Sequence, residues 1–141
     1  MSAIFLLAFW LFLLTALAVA WQAGDRNDRR IILAIGGAAL ASGATHMLFS
    51  ESAAHTLVVV IDLALLVVVV RYTLWSRRYW PLWFAAFHST SVLFSFASTM
   101  LPGTQHIIAE RLAGFWSIPA IIVMVIGLIA DQHRGLIGSG R

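Results

Sequence analysis

Five long apolar stretches separated by short polar turns run through the whole chain. They are residues 3–22, 31–50, 53–75, 80–101 and 112–130. As a helix, each stretch is long enough to cross a hydrocarbon core of about 30 Å. β-Branched runs in the third stretch would indicate buried strands in water, but an open strand cannot satisfy its backbone in lipid. The pattern predicts an all-α fold: one membrane domain over residues 1–141, an integral membrane bundle of five transmembrane helices.

The polar segments add detail to this pattern. Asp25 or Asn27, in the first turn, is expected to cap the second helix. Residues 103–111 are predicted to form the longest internal loop. Residues 131–141 form a polar, glycine-containing tail that is expected to be flexible.

The composition agrees with a membrane protein and excludes some chemistry. Hydrophobic residues make up 61% of the chain and charged residues 11%, whereas soluble domains carry about 25% charged residues. The chain has no Cys, so it has no thiolate metal site and no Cys nucleophile. No paired carboxylates, P-loop, nucleophile elbow or zinc-protease motif is present. The protein is therefore not expected to be an enzyme.

The arginines predict an orientation. All nine basic residues are Arg, and eight of them lie in the first turn, around the third turn or in the tail, leaving Arg111 alone on the other side. This bias predicts that the N-terminus is outside and the C-terminus is cytoplasmic. Because the arginines cluster between apolar stretches, the high pI of 10.6 indicates membrane topology, and no nucleic-acid partner is expected.

Asp62 lies near the middle of the third stretch, where a charge costs about 2.5–3.5 kcal/mol. Counted along antiparallel helices, Asp62 and His88 differ in depth by only about 5 Å. One interpretation is a proton relay or ion-coupling pair. The other is a structural polar clasp, completed by the polar helix face of Ser91, Ser95 and Ser98, which recur at helical spacing.

The second stretch is rich in small residues. Gly36, Gly37, Ser42 and Gly43 are expected to let neighbouring helices pack closely, because packing replaces the hydrophobic driving force in lipid. This helix is therefore predicted to be central in the bundle.

Two histidines are candidate ligands for a cofactor. Small residues before His46 would leave room for a tetrapyrrole such as haem or chlorophyll, and His88 is the second candidate. Their depths differ by about 12 Å, which makes them a poor axial pair. The alternatives are a His bonded to a neighbouring helix, and a bound lipid instead of a tetrapyrrole.

A set of polar residues is expected near the outer boundary of the membrane. It consists of His46, Glu51, His55, His106 and Glu110. Such side chains can bind divalent metals, but no HxxxH spacing is present and no metal site is predicted. Solvated residues at a boundary are the simpler interpretation.

The turn Ser76–Trp83 reads SRRYWPLW, and its aromatic and basic residues are typical of interface anchors. The predicted anchors are Arg77, Arg78, Tyr79, Trp80 and Trp83.

The same turn also carries a resemblance. With Asp62 before it and Phe115–Pro119 (FWSIP) after it, it resembles a group of short uncharacterised bacterial inner-membrane proteins with an RYWPLW-type turn and an FWSYP-like stretch. Ile118 stands where that stretch has Tyr. The resemblance spans roughly the C-terminal two thirds of the chain. It implies a multi-pass helix bundle in the bacterial inner (cytoplasmic) membrane and assigns no catalytic residue.

Three functions remain open from the sequence. The leading hypothesis is a non-catalytic accessory subunit of a larger membrane protein complex, such as an energy-transducing (photosynthetic or respiratory) one, because the loops are short and the helix faces suit other helices. Its partners would be membrane lipid and other membrane protein subunits. The alternatives are a cofactor-binding membrane protein using His46 or His88, and a small oligomeric proton-coupled carrier using Asp62 and His88.

Overall fold

A computed structural model describes residues 3–134. They form five helices: α1 (Ala3–Ala23), α2 (Arg26–Leu48), α3 (Glu51–Trp75), α4 (Trp80–Met100) and α5 (Gly103–His133). No strand occurs in this part of the chain, and the all-α prediction is confirmed. Of the described helices, α2, α3 and α5 are long and apolar enough to cross a membrane.

The helices form a closed ring. In chain order each helix packs against the next, and α5 packs back against α1. Among the described residues, no helix approaches one on the far side of the ring. The outward faces carry many exposed large apolar side chains, such as Leu40, Val67 and Ile126. In a membrane protein these side chains would contact lipid, since apolar patches of this extent are rare on soluble monomers.

The helix α2 begins at Arg26, five residues before its predicted start. Asp25 is its N-cap, as predicted, and accepts hydrogen bonds from the N–H groups of Asn27 (2.8 Å) and Asp28 (2.9 Å). The Asp28 carboxylate in turn accepts from the N–H of Asp25 at 3.0 Å, which completes a capping box. This polar segment was expected to be a turn because its composition is charged, but the reciprocal caps make it the first turns of the helix.

The helix α5 differs most from expectation. Residues 103–111 were predicted to form a loop, but they are helical, and α5 begins at Gly103 (φ +55°) directly after Pro102. At its other end the helix includes residues 131–133 of the predicted tail, while residues 135–141 lie outside the described part. With 31 residues, α5 is about 46 Å long and exceeds a hydrocarbon core of about 30 Å. Hydropathy marked only its apolar portion.

The ring has two ends of different character. The turns after α1 and α3, and the last turn of α5, lie at one end, which also holds seven of the eight described arginines and is here called the arginine-rich end. Val69, Trp80, Met124 and Leu128 are almost completely buried there. Gly127 permits this packing, because a Cβ at that position would overlap the Cβ of Trp80 and lie 3.2 Å from its Cα. The axis of the bundle is therefore filled by side chains at the arginine-rich end.

Candidate functional site

The other half of the ring encloses a cavity of about 340 Å³. Every helix contributes to its wall: α1 through Trp10 and Leu13, and the others through residues within 35–46, 55–65, 84–95 and 110–121. The cavity follows from the ring, because helices that contact only their two neighbours leave a space along the axis.

The cavity is closed towards the arginine-rich end and reaches the surface at the opposite end. Ile35, Leu65, Phe84 and Ile121 lie at the ends of its lining that are nearest the arginine-rich end, and all four are buried. At the opposite end the lining includes Glu110, and this residue is exposed. The cavity is thus a one-ended chamber that opens away from the arginines.

The structure brings Asp62 and His88 into contact, but the His88 ring meets the backbone of Asp62 and not its carboxylate. Nε2 of His88 lies 3.1 Å from the backbone carbonyl oxygen of Asp62. Since a carbonyl only accepts, Nε2 carries the proton in this hydrogen bond. The His88 ring also stacks on Phe84 at 5.7 Å between centroids and is buried. His88 therefore ties α4 to α3, and the predicted carboxylate–imidazole pair is replaced by a bond to the main chain.

The carboxylate of Asp62 does not take part in this contact with His88 and is available to the cavity. Asp62 lines the chamber, is partly buried, and within residues 3–134 makes no side-chain hydrogen bond or ion pair. A carboxylate at mid-membrane without a partner is costly, which is why such groups usually serve a ligand, an ion or a proton. Asp62 therefore places a carboxylate without a partner in the described chain inside the cavity, deeper than Glu110 at its rim.

The serine face of α4 points into the bundle, and two of its three serines form hydrogen bonds with neighbouring helices. Ser91 Oγ donates to the carbonyl of Ala113 at 2.7 Å and so links α4 to α5. Ser98 Oγ donates to the carbonyl of Ser95 at 2.7 Å and lies 3.0 Å from Nε2 of His55, which donates to it. Ser91 and Ser95 also line the cavity. Ser91 and Ser98 therefore link α4 to α5 and to α3 respectively.

The outer polar residues do not assemble into a metal site. No group of three or more His or carboxylate side chains able to hold an ion occurs among the described residues. His55 and His106 are in edge contact at 5.5 Å, and Nδ1 of His106 donates to the carbonyl of Ser98 at 2.8 Å. His46 and Glu110 stand at the rim of the chamber.

The small residues of α2 have three different roles. A Cβ added at Gly36 or Gly43 would lie 3.2 Å from Leu17 or Trp10 respectively, so these two glycines let α1 approach. Ser42 lines the cavity, and its buried Oγ has no hydrogen-bond partner within residues 3–134. A Cβ at Gly37 would have nothing within 4 Å, so this glycine faces outward and packs against no other helix of the described chain.

Asp28 is a buried, ion-paired carboxylate that was not identified from the sequence. It is completely buried at the arginine-rich end and accepts hydrogen bonds from the Tyr72 hydroxyl (2.7 Å) and from Nε1 of Trp80 (3.3 Å). Arg78 forms ion pairs with both Asp28 and Asp25. Asp28 therefore joins α2, α3 and the start of α4. Its position three residues after the cap was the only signal in the sequence.

This cluster corrects two of the predicted interface anchors. Trp80 is 2% exposed and the Arg78 side chain 10% exposed, because both donate to Asp28 inside the bundle. Arg77, Tyr79 and Trp83 are exposed, where residues that anchor a lipid interface would lie.

No protein-family model matches the sequence, and no similar protein was found among curated proteins or solved structures. The chemistry of the chamber is therefore the basis for a functional proposal. The chamber combines the Asp62 carboxylate at mid-height and the Glu110 carboxylate at its rim with small apolar side chains and a closed floor. Such an arrangement can hold a ligand.

Proposed function

We propose that the protein is a small multi-pass protein of the bacterial inner membrane that binds a compact cationic solute in its central chamber, with Asp62 as the counter-charge. The observation that carries this proposal is the Asp62 carboxylate, which faces a cavity built by all five helices and has no partner in the described chain. A bound cation would offset the cost of placing that charge in lipid.

The size and walls of the chamber support a compact ligand. Ligand pockets commonly span about 300–1,000 Å³, and the volume here, about 340 Å³, is at the lower end. Ala38, Ala39 and Ala120 give the chamber small side chains, and Trp10 and Phe84 add aromatic rings, a residue type whose quadrupole attracts cations. A small amine or quaternary ammonium ion matches this lining.

The proposal includes the orientation predicted from the arginines. If the arginine-rich end is cytoplasmic, all five helices cross the membrane and the chamber opens to the outer side. The 21-residue helices α1 and α4 are long enough for a core of about 30 Å when helical. A proton-coupled carrier would use the same carboxylate, and its closed floor would have to open during transport.

A tetrapyrrole has less support than a compact cation. His88 is the better buried of the two candidate ligands, yet its Nε2 already donates to the Asp62 carbonyl. His46 is exposed at the rim, and the small chamber favours a compact ligand. A colourless purified protein would agree with this preference.

Replacing Asp62 by Asn tests the proposed function. In detergent, tetramethylammonium is expected to raise the unfolding temperature of the unaltered protein, and the variant is expected to bind it at least tenfold more weakly. The reason is that two opposite charges about 4 Å apart attract by about 4 kcal/mol at an effective dielectric constant of about 20, and about 1.4 kcal/mol is tenfold in affinity. Calorimetric titration measures both constants.

The matched control is Glu51→Gln, which removes an exposed carboxylate from the first turn of the same helix. It is expected to leave binding unchanged. Equal binding of tetramethylammonium by the Asp62→Asn variant, or equal binding of a neutral analogue such as tert-butanol, would contradict the proposal.

A second candidate is the accessory subunit of a membrane complex. The observation that favours it is the outward face of α2, where Gly37, Ala41 and Ala44 are exposed at helical spacing, as at helix–helix interfaces in lipid.

The native mass of the protein, extracted gently from its own membrane, tests this second candidate. Other polypeptides in fixed stoichiometry are expected if the protein is a subunit, and their loss in a Gly37→Leu variant would place them on α2. A mass of 15.5 kDa or its small multiples would contradict the subunit hypothesis.

A further inference from the structure

A second pocket lies at the arginine-rich end, between α2, the end of α3 and the turn that follows it. Its volume is about 560 Å³. Four arginines line it: Arg30, Arg71, Arg77 and Arg78. It shares no lining residue with the central chamber.

The pocket carries positive charge that the described chain does not neutralise. Arg78 is paired with Asp25 and Asp28. Arg30, Arg71 and Arg77 are exposed and form no ion pair within residues 3–134. The cluster of Arg78, Asp25 and Asp28 carries one net negative charge, while Arg30, Arg71 and Arg77 carry three positive charges. The net charge around the pocket is therefore about two positive units. A phosphate or a phosphodiester pair would balance it.

Two further features indicate what enters the pocket. Ser76 Oγ is buried at its edge and has no hydrogen-bond partner in the described chain, so a hydroxyl donor is available beside the guanidinium groups. Arg71 lies over the Trp75 ring at 5.8 Å, and this Trp is largely exposed. The rest of the lining combines the apolar side chains of Ile31 and Val68 with the polar side chains of Asp25, Asn27 and Tyr72.

We propose that this pocket binds the phosphate headgroup of an anionic phospholipid. Arg30, Arg71 and Arg77 surround the phosphate oxygens, and Ser76 donates a hydrogen bond. The acyl chains run along Val68 and the outward face of α3, a helix that is long and apolar enough to cross a membrane. Basic pockets between membrane helices at this level are suited to such headgroups. The apolar side chains of Ile31 and Val68 and the exposed Trp75 favour a lipid over a free phosphate ester.

Lipid titration of the purified full-length protein in a neutral detergent tests the proposal. Dioleoyl phosphatidylglycerol is expected to raise the unfolding temperature and to remain bound in native mass spectra, while dioleoyl phosphatidylcholine does neither. Arg77→Gln, Arg71→Gln and Arg30→Gln are each expected to weaken phosphatidylglycerol binding at least fivefold. Binding is also expected to fall as salt rises.

Arg111→Gln is the matched control, because it removes one exposed arginine at the opposite end of the bundle. It is expected to bind phosphatidylglycerol as the unaltered protein does. Arg77→Lys retains the charge and is expected to bind within threefold of the unaltered protein, which separates a lost contact from a misfolded variant.

Three results would overturn the assignment. Equal binding of both lipids would remove the role of the anionic headgroup. Equal loss in Arg111→Gln would reduce the effect to net charge. Binding of glycerol phosphate as tight as that of phosphatidylglycerol would identify a soluble phosphate ester as the ligand. None of these results depends on Asp62 or the chamber.

Discussion

Asp28→Asn is expected to lower the free energy of unfolding by about 3–5 kcal/mol, as is typical when one partner of a buried ion pair is removed. The substitution keeps the size of the side chain but places an amide donor against the Arg78 guanidinium. It also weakens the acceptor for Tyr72 and Trp80 and removes the reciprocal cap to Asp25. Chemical denaturation in detergent micelles, followed by helical circular dichroism, measures the change.

Two comparisons separate the Asp28 cluster from a general loss of charge. Glu51→Gln alters an exposed carboxylate in a first helical turn and is expected to change stability by no more than about 0.5 kcal/mol. The double variant Asp28→Asn with Arg78→Gln is expected to be less destabilised than the sum of the single variants, because the buried guanidinium no longer lacks its partner. Additive effects, or a loss in Asp28→Asn no larger than in the control, would contradict the role assigned to this ion pair.

The second large effect is expected from Gly127→Ala. The added methyl group would overlap the Cβ of Trp80, which sits on the backbone and cannot rotate away. The helices α4 and α5 must then separate, and overpacking of this kind costs about 1–3 kcal/mol. Because Trp80 also donates to Asp28, the displacement is expected to loosen that cluster as well. Thermal unfolding in detergent measures the effect.

Gly37→Ala provides the control for this second prediction. Gly37 also lies inside a helix, but a Cβ there has nothing within 4 Å. Alanine is favoured over glycine in helix interiors by about 0.8–1.0 kcal/mol in water, so the variant is expected to be as stable as the unaltered protein or more so. Similar losses at both glycines would contradict the assignment of the Gly127→Ala effect to the α4–α5 contact.

Much of the fold was predictable because element type is a local property. Apolar runs of membrane length required helices, since no other open structure satisfies its backbone in lipid. The depth count that brought Asp62 near His88 needed only the rise per residue and antiparallel neighbours, and the two residues are indeed in contact. The cap at Asp25 followed from its own position before the helix.

Errors arose where hydropathy was used as a proxy for helicity. Residues 103–111 and 26–30 are polar, so the apolar pattern stopped short of them, yet both continue helices. A polar helical turn outside the membrane core has no hydrophobic periodicity to reveal it. The capping box of Asp25 and Asp28 sets the start of α2, whereas α5 begins directly after Pro102 without a side-chain cap.

The sequence alone determined the helices, the similar heights of Asp62 and His88 along them, their apolar outer surface and the concentration of arginine at one end. Only the tertiary structure decided which side of each helix faces inward. That choice buried Asp28 beneath Arg78 and Trp80, turned His88 towards a carbonyl, and left the Asp62 carboxylate facing a chamber. The physical reason is that rotation about a helix axis is set by contacts with neighbours far away in sequence, here Gly36 and Gly43 against α1 and Gly127 against Trp80.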